Sequence, residues 1–338
     1  MATNSTPTPI LSIIIPLYNT ERFIGQCLSS IVENEVDKTL YEVIVIDDGS
    51  TDASAQIVRE FCAKYPNILL YTQENRGVSI ARMKGISKAE GDYIWFIDSD
   101  DYITEDATRN VLAIIRQHPD IDVFVTPMYL SHEDTRYNYA TPEWKESFTI
   151  SGKELMKRKD FFLIGPPQFI AKRELFRDKW LFFPQGIRYE DEYFARILKY
   201  QADRFLLLQK YMYVYRQWSG SHMHSIGLAD CLDILSVYRL LDDFAIQEVA
   251  KVDQPWFRNN IVSFLLEALT RSEPFIGTES FRKFYDDHIV YIRSEWRKYR
   301  KYFSLKDRLL AAILLRSPGF YSRIQNRYKS YKLANRHN

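Results

Sequence analysis

The sequence predicts an α/β protein with a mostly parallel twisted sheet flanked by helices, followed by a helical C-terminal appendage. Three observations support this fold class. Apolar runs of strand length alternate with runs of helical period through the first hundred residues, which is typical of βαβ units. Acidic residues follow two of the apolar runs, at the strand ends where open α/β sheets bind ligands. From about residue 228 the chain has helical periodicity almost throughout.

Each element follows from its local pattern. In the first hundred residues, strands are predicted at 11–16, 41–46, 68–71 and 93–97, and helices at 21–32, 53–65 and 80–89. Further on, the pattern predicts helices at 106–117, at 151–159 and from Glu190, strands at 123–125, 168–171 and 211–216, and a hairpin within 129–144. Helices are predicted at 228–250, 256–271, 278–302 and 304–315. We expect the first strand to stop at Pro16, because proline cannot donate to a strand ladder.

The composition is that of a globular protein, with 46% hydrophobic and 26% charged residues among 338. Its three cysteines are widely separated and lack metal-ligand spacing, which favours a reducing, cytoplasmic compartment. Residues 1–9 are rich in Thr, Ser and Pro, so we expect a disordered start without a secretory signal. No run approaches the roughly 18 apolar residues of a membrane span.

The strand predicted at 93–97 runs into Asp98-Ser99-Asp100-Asp101. Carboxylates crowded at a strand end repel one another unless a cation joins them. Such oxygen ligands favour Mg²⁺ or Mn²⁺, which complete their shell with waters and substrate phosphates. Asp98 and Asp100 would point to the same side of a regular strand. These residues alone leave two interpretations open, a metal site for a phosphorylated substrate or a polar turn that caps the next helix.

A second acidic pair, Asp47-Asp48, follows the strand predicted at 41–46. In a parallel sheet it would face the same edge as Asp98. One of the two carboxylates could accept hydrogen bonds from a nucleotide base, and the alternative is an Asx turn into the next helix. We assign Asp52 to the cap of that helix rather than to a ligand.

Four motifs occur in order at 13–19, 45–52, 75–82 and 98–101, the last two reading Asn-Arg-Gly-Val-Ser-Ile-Ala-Arg and Asp-Ser-Asp-Asp. Together they strongly resemble family 2 glycosyltransferases, the inverting group with the GT-A fold, over about residues 10–220. The resemblance implies a GT-A catalytic domain at 10–225, with a nucleotide-sugar half at 10–101 and an acceptor half at 102–225. A helical, basic region at 226–338 would follow and matches no family.

The resemblance implies a nucleotide-sugar donor held by residues of these motifs. They are Pro16, Tyr18, Asp47, Asp48, Arg82 and Asp98. Asp47 or Asp48 would meet the base, Asp98 the ribose and metal, and Arg82 the nucleotide or its phosphates. Asp100 would hold Mn²⁺ or Mg²⁺ as the ligand of the Asp-X-Asp motif. The alternative for Arg82 is a salt bridge on the helix surface.

Inversion requires a base that takes the proton of the acceptor hydroxyl. In the family this base usually belongs to a Glu-Asp pair opening a helix, which implies Asp191 as the base and Glu190 as an acceptor-binding residue. The alternative is that these acids merely favour the helix dipole. His222, and less strongly His224, are candidate metal or phosphate ligands, with Arg216 as a phosphate partner; a surface role is the alternative.

The last 46 residues are strongly basic. From Arg293 onward there are 13 Lys or Arg and two acidic residues, a net charge of +11, against −10 for the rest. Five apolar residues form one helical stripe among them: Leu305, Leu309, Leu310, Ile313 and Leu314. A basic amphipathic helix predicts interfacial binding to anionic lipid. Docking on the catalytic domain and oligomerisation are the alternatives, and no nucleic-acid recognition module is found.

The leading hypothesis is a metal-dependent inverting glycosyltransferase of the hexosyltransferase type. It would move a sugar from a nucleotide-diphosphate donor, by analogy a UDP-sugar, to a glycan or lipid-linked saccharide in polysaccharide biosynthesis. It would act in the cytoplasm or peripherally on the inner membrane face. One alternative is a metal-dependent phosphohydrolase with Asp98 as nucleophile and Asp100 as acid. The other is a non-catalytic, membrane-associated scaffold.

Overall fold

The computed structural model describes residues 8–132, 135–138, 146–158, 165–218, 227–303, 305–317 and 319. The chain divides into two compact units. The first comprises residues 1–186 and 190–221, and the second comprises residues 187–189 and 222–338. Three residues that precede the Glu-Asp pair therefore group with the second unit.

The first unit contains twelve strands in its described part. They are β1 (Leu11–Leu17), β2 (Tyr41–Asp47), β3 (Ile68–Thr72), β4 (Tyr93–Phe96), β5 (Tyr102–Ile103), β6 (Val123–Val125), β7 (Met128–His132), β8 (Thr135–Asn138), β9 (Phe148–Ile150), β10 (Phe169–Lys172), β11 (Phe205–Leu207) and β12 (Tyr213–Arg216). Eight form the central sheet in the order β3-β2-β1-β4-β10-β6-β11-β9, and four form a second sheet in the order β5-β12-β7-β8.

The central sheet is mostly parallel, which confirms the predicted fold class. β3, β2, β1 and β4 pair in parallel, whereas β10 runs antiparallel between β4 and β6. The described helices of the first unit are α1 (Ile24–Val32), α2 (Ser54–Lys64), α3 (Val78–Lys88), α4 (Ala107–Gln117), α5 (Gly152–Lys157) and α6 (Glu190–Gln201). The predicted hairpin is present as the antiparallel pair β7 and β8.

The strands β1, β2 and β4 are buried along their whole length because their sequences are almost continuously apolar. The polar exceptions at the start of β1 and β2 satisfy each other. Ser12 and Glu42 are partners in the strand register, and Ser12 Oγ donates to Glu42 Oε1 over 2.6 Å. The same carboxylate oxygen accepts from the backbone N–H of Glu90 at 2.7 Å. The buried charge is therefore hydrogen-bonded on several sides, as burial requires.

Two local expectations were wrong. Pro16 does not stop β1 but lies within it, opposite Ile46 of β2, beyond the last residue that pairs with β4. At that place the missing N–H removes no bond to β4. The strand β4 ends at Phe96, so Asp98 and Asp100 do not lie on a regular strand and do not share one of its faces. They lie on a turn that is closed by the Asp101 N–H donating to the Asp98 carbonyl at 3.0 Å.

The second unit is helical in its described part, with α7 (Leu228–Gln247), α8 (Gln254–Ile261), α9 (Ser263–Arg271), α10 (Glu279–Tyr299) and α11 (Leu305–Arg316). The single helix predicted at 256–271 is divided into two at Val262. The predicted apolar stripe of α11 is also divided. Leu314 is buried at 3% exposure, whereas Leu305 and Leu309 are 73% and 59% exposed. None of the described helices combines the length and the apolar character needed to span a membrane.

Candidate active site

The loops that follow β1, β2 and β4 are hydrogen-bonded to one another at one edge of the sheet. Asn19 N–H donates to Ser50 Oγ at 3.1 Å, and Asn19 Oδ1 accepts from Thr51 N–H at 2.8 Å. Thr20 Oγ1 donates to Ser99 Oγ at 3.0 Å. Because these bonds link all three loops, the acidic strand ends share one edge.

Two predicted nucleoside contacts lie on the first of these loops. Pro16 is buried near the end of β1, and Tyr18 is 46% exposed just beyond it. Asn19 has a φ of +50°, in the left-handed region that asparagine tolerates better than most residues. Its two bonds to the loop after β2 hold that conformation. Tyr18 is therefore presented by an anchored loop and has a ring free to meet a ligand face.

The structure gives Asp47 and Asp48 different surroundings, although both are buried. Asp48 accepts three hydrogen bonds, from Gln73 Nε2 at 2.7 Å, Arg76 N–H at 2.9 Å and Gly77 N–H at 2.7 Å. Asp47 accepts from Ser50 N–H at 3.0 Å through Oδ1, and no bond to Oδ2 is present in the described part of the chain. Asp48 is thus committed to the loop before α3.

Arg82 joins the end of β4 to the start of α6. Its guanidinium donates to Asp98 Oδ1 at 2.8 Å and to Glu190 Oε1 at 2.9 Å, and it lies 5.1 Å from the ring centre of Phe183. The side chain is 5% exposed. Burial would lower its pKa, but Asp98 and Glu190 raise it, so the cation is held firmly. The Nε of Arg82 is buried without a hydrogen-bond partner among the described residues.

The turn 98–101 carries three carboxylates in different states of burial. Asp98 is 30% exposed at its side chain and paired with Arg82. Asp100 accepts from Trp218 Nε1 at 3.1 Å through Oδ2; burial and then Asp98 raise its pKa. Asp101 is fully buried, and burial followed by Asp100 and Asp98 raises its pKa well above the usual range. Burial and the neighbouring carboxyl groups therefore favour the protonated forms of Asp100 and Asp101.

Asp191 opens α6 beside the residue that meets Arg82. Burial, followed by Glu190 and Glu192, raises the pKa of Asp191 to about 7, and the nearby Arg82 opposes part of that rise. Its neighbours have other partners, since Glu190 pairs with Arg82 and Glu192 with Arg196. Asp191 itself accepts only the Glu192 N–H, at 2.8 Å, in the described part of the chain. It is thus a partly buried carboxyl that can exchange a proton near neutral pH.

The residues present fit a divalent cation that is shared with a ligand. No group of three or more His, Cys, Asp or Glu suited to a metal occurs among the described residues. Burial and repulsion by Asp98 raise the pKa of Asp100, and a bound cation would offset that repulsion. Mg²⁺ commonly uses one or two carboxylates and takes its other ligands from phosphates and water. The candidate ligands His222 and His224 lie outside the described residues.

Sequence reasoning missed Tyr213 and Trp218, which contact the turn, and gave Arg216 a different partner. Tyr213 and Trp218 donate to the carboxyl groups of Asp101 and Asp100. Arg216 donates from Nε to the Asp100 carbonyl and from its backbone N–H to Asp101 Oδ1. Arg216 had been considered only as a phosphate partner. The third carboxylate of Asp-Ser-Asp-Asp was a signal that a buried donor had to meet it, but its partner lies 112 residues further along the chain.

Comparison with known proteins identifies the family of the chain. A model of glycosyl transferase family 2 matches residues 12–180, which is half of the 338-residue chain. The chain belongs to this family, as the four motifs predicted. The matched range includes the acidic strand ends and Arg82.

Two curated relatives are similar to this chain over more than half of its length. The chain is 29% identical over 215 residues to the uncharacterized glycosyltransferase EpsJ of Bacillus subtilis, which covers 62% of this chain and 61% of the relative. It is 29% identical over 233 residues to TarS of Staphylococcus aureus, a poly(ribitol-phosphate) beta-N-acetylglucosaminyltransferase, covering 68% of this chain and 39% of TarS. The chain thus spans less than two thirds of both relatives, 61% of EpsJ and 39% of TarS.

The fold has solved counterparts of the predicted GT-A type. A structure of TarS residues 1–349 in complex with UDP-GlcNAc superposes with a TM-score of 0.60 at 22% identity, covering 86% of this chain and 91% of the other. The mannosyltransferase PcManGT of Pyrobaculum calidifontis, in complex with GDP-Man and Mn²⁺, gives 0.51 at 15% identity, covering 94% and 88%. At these identities the likeness concerns the fold.

Proposed function

We propose that the protein is a metal-dependent inverting glycosyltransferase. It transfers a sugar from a nucleotide-diphosphate donor, a UDP-sugar in our proposal, to a glycan or lipid-linked saccharide in polysaccharide biosynthesis. The observation that carries this proposal is the ion pair of Arg82 with Asp98 and Glu190. It joins the donor-side turn to the residue next to Asp191, so a sugar donor and an acceptor base can share one site.

Donor binding is assigned to Pro16, Tyr18, Asp47 and Asp98, with Arg82 close to the phosphates. The sequence left Asp47 and Asp48 as alternatives for the base. The hydrogen bonds favour Asp47. Asp48 already accepts three bonds, from Gln73, Arg76 and Gly77, whereas Asp47 accepts one, from Ser50. Asp48 then acts on donor binding by fixing the loop that leads to Arg82. Tyr18, exposed on an anchored loop, offers its ring to the nucleoside.

Asp100 would hold Mn²⁺ or Mg²⁺, with the donor diphosphate completing the shell. When bound, the ion neutralises charge on the departing nucleoside diphosphate, which is electrostatic help to the reaction. Asp98 keeps its carboxylate oriented through Arg82. His222 is retained as a further candidate ligand from the sequence alone.

Asp191 is assigned as the general base. Its carboxylate takes the proton of the acceptor hydroxyl as that oxygen attacks the anomeric carbon, on the side opposite the departing diphosphate. A pKa of about 7 suits this task, because the group is substantially ionised at neutral pH and still a strong enough base. Glu190 is assigned to the acceptor, positioned by its bond to Arg82.

The remaining assignments concern the whole chain. We assign residues 10–225 to the catalytic domain, with donor and acceptor halves meeting at about residue 101, and 226–338 to a helical basic region. That region is proposed to bind anionic membrane lipid on the cytoplasmic side. Exposed Leu305 and Leu309 flank Arg308 in a segment of net charge +11, which supports interfacial binding.

The decisive assay incubates the protein with UDP-sugars, Mn²⁺ and saccharide acceptors and determines the anomeric configuration of the product by NMR. We expect inversion, so that an α-linked donor gives a β-linked product, and loss of transfer with a chelator. Phosphate release from simple phosphomonoesters without an acceptor would instead support a phosphohydrolase. Absence of nucleotide-sugar binding together with retained liposome binding would support a scaffold.

A further inference from the structure

The residues of β12 and the segment just after it contact every aspartate of the turn 98–101. Tyr213 contacts Asp101 and the backbone of Asp98, Arg216 contacts the backbone of Asp100, and Trp218 contacts the Asp100 carboxylate. β12 belongs to the second sheet, whereas the turn follows β4 of the central sheet. The turn 98–101 is therefore contacted by residues of the second sheet, which lies in the same unit.

Of these contacts, the one between Tyr213 and Asp101 joins two fully buried residues. The Tyr213 hydroxyl donates to Asp101 Oδ2, and Asp101 Oδ1 accepts from Arg216 N–H at 2.8 Å. Both oxygens of Asp101 accept a hydrogen bond from β12, so this side chain is anchored to that strand. The same Tyr213 oxygen accepts from Asp98 N–H at 3.2 Å. One phenol oxygen thus binds both ends of the turn.

Arg216 and Trp218 extend this support to Asp100. Arg216 Nε donates to the Asp100 carbonyl at 2.8 Å, while its guanidinium lies 4.8 Å from the ring centre of Phe23 and 5.0 Å from that of Tyr102. Trp218 also packs on Phe23, with 5.0 Å between ring centres. Asp100 is therefore held at its backbone and at one carboxylate oxygen.

We propose that Tyr213 and Asp101 are positioning residues that hold the turn 98–101 in the shape that binds the metal–diphosphate unit. The proposal rests on the assignment of Asp100 as metal ligand. Asp98 and Asp100 repel each other, which favours conformations of the turn that separate them. The Tyr213 hydroxyl prevents this by tying the backbone at Asp98 to the side chain of Asp101. Groups that orient metal ligands in this way commonly change metal affinity by about 10- to 100-fold when removed.

The test compares Tyr213→Phe with Tyr93→Phe. Both substitutions remove one buried phenol hydroxyl, but that of Tyr93 donates to the Ile121 carbonyl at 2.6 Å and lies at the opposite end of β4. Calorimetry measures UDP binding to each full-length protein over a range of Mn²⁺ concentrations, and thermal melts measure stability. We expect Tyr213→Phe to require about ten times more Mn²⁺ for half-maximal UDP binding. Tyr93→Phe should lose similar stability and keep the wild-type Mn²⁺ dependence.

Asp101→Asn is a second variant in case Tyr213→Phe does not fold, since it keeps the side-chain shape and one acceptor oxygen. The same rise in the Mn²⁺ requirement is expected. Unchanged Mn²⁺ dependence in a folded Tyr213→Phe or Asp101→Asn protein would overturn the positioning role while leaving the proposed function intact. Absence of Mn²⁺-dependent UDP binding in the wild-type protein would overturn the metal assignment itself, and the positioning role with it.

Discussion

Arg82 and Glu190 form a partly buried ion pair of 2.9 Å although they are 108 residues apart in the sequence. The pair connects α3, which follows the loop held by Asp48, with the first turn of α6, which carries Asp191. Because Arg82 also binds Asp98, one side chain relates the donor side and the acceptor side of the proposed active site. The effect of changing Arg82 is therefore the first consequence to test.

Replacing Arg82 should impair both stability and transfer. Arg82→Lys keeps the charge but cannot offer two carboxylates the forked donors of a guanidinium. We expect transfer to fall by about 100-fold, and Arg82→Ala to lose about 3 kcal/mol of unfolding free energy because two carboxylates lose a buried partner. Denaturant titration and initial rates measure these effects. Arg109→Ala, which breaks an exposed pair with Asp106, is the control and should change neither. Wild-type rates in Arg82→Lys would contradict the bridging role.

Asp47 and Asp48 should respond differently to the same substitution. Asp48→Asn replaces one carboxylate oxygen with an NH₂ group, which cannot accept a hydrogen bond from the N–H of Arg76 or Gly77. We therefore expect a lower melting temperature. Asp47→Asn retains an acceptor for Ser50 N–H and should melt like the wild type, with UDP binding weakened about tenfold. Thermal melts and calorimetry distinguish the two. Unchanged UDP affinity in Asp47→Asn would return the base contact to Asp48.

The proposed base should determine the pH dependence of transfer. Asp191 must be ionised to accept a proton, and burial raises its pKa to about 7. We expect kcat/KM to rise about tenfold per pH unit below pH 7 and to level off above it. Initial rates between pH 5.5 and 8.5 at saturating Mn²⁺ measure the profile. A flat profile across this range would be inconsistent with Asp191 as the titrating base.

The exposed apolar part of α11 should control membrane binding. Leu305→Glu with Leu309→Glu places acids on the surface proposed to enter the interface, so we expect loss of cosedimentation with vesicles of anionic lipid. Ile246→Glu, at a residue 65% exposed on α7, is the matched control and should still bind. Neutral phosphatidylcholine vesicles should bind neither the wild type nor the double variant well. If the double variant binds like the wild type, or if the wild type ignores anionic vesicles, the membrane assignment fails.

The elements that the sequence revealed are those with strong local signals. β1, β2 and β4 are continuous apolar runs of at least four residues, and the acidic motifs follow directly from two of them. β9, β11 and β5 have two or three residues each and were not predicted, whereas β6, also of three residues, was predicted from its Val-Phe-Val run. These strands form because neighbouring strands already provide hydrogen-bond partners.

The sequence indicated the residue types of the candidate site but not which side chains contact one another. The acids at strand ends and the Glu190-Asp191 pair could be recognised from motif and spacing. The contacts of Arg82 with Glu190 and of Tyr213 with Asp101 could not, because each joins side chains more than 100 residues apart. Pairings of this kind depend on the order of strands in the sheet, which local periodicity does not encode.

The central claim is tested most directly by Asp191→Asn, measured for UDP-sugar turnover and for Mn²⁺–UDP binding in the same preparation. The native pKa of Asp191 lies above its unfolded value, so its ionisation destabilises the wild-type fold as pH rises from about 4 to 7. The variant should therefore melt no lower than the wild type at pH 8, which controls for misfolding. We expect wild-type affinity for Mn²⁺–UDP and a loss of at least about 1,000-fold in transfer. Undiminished turnover in this variant would contradict the account.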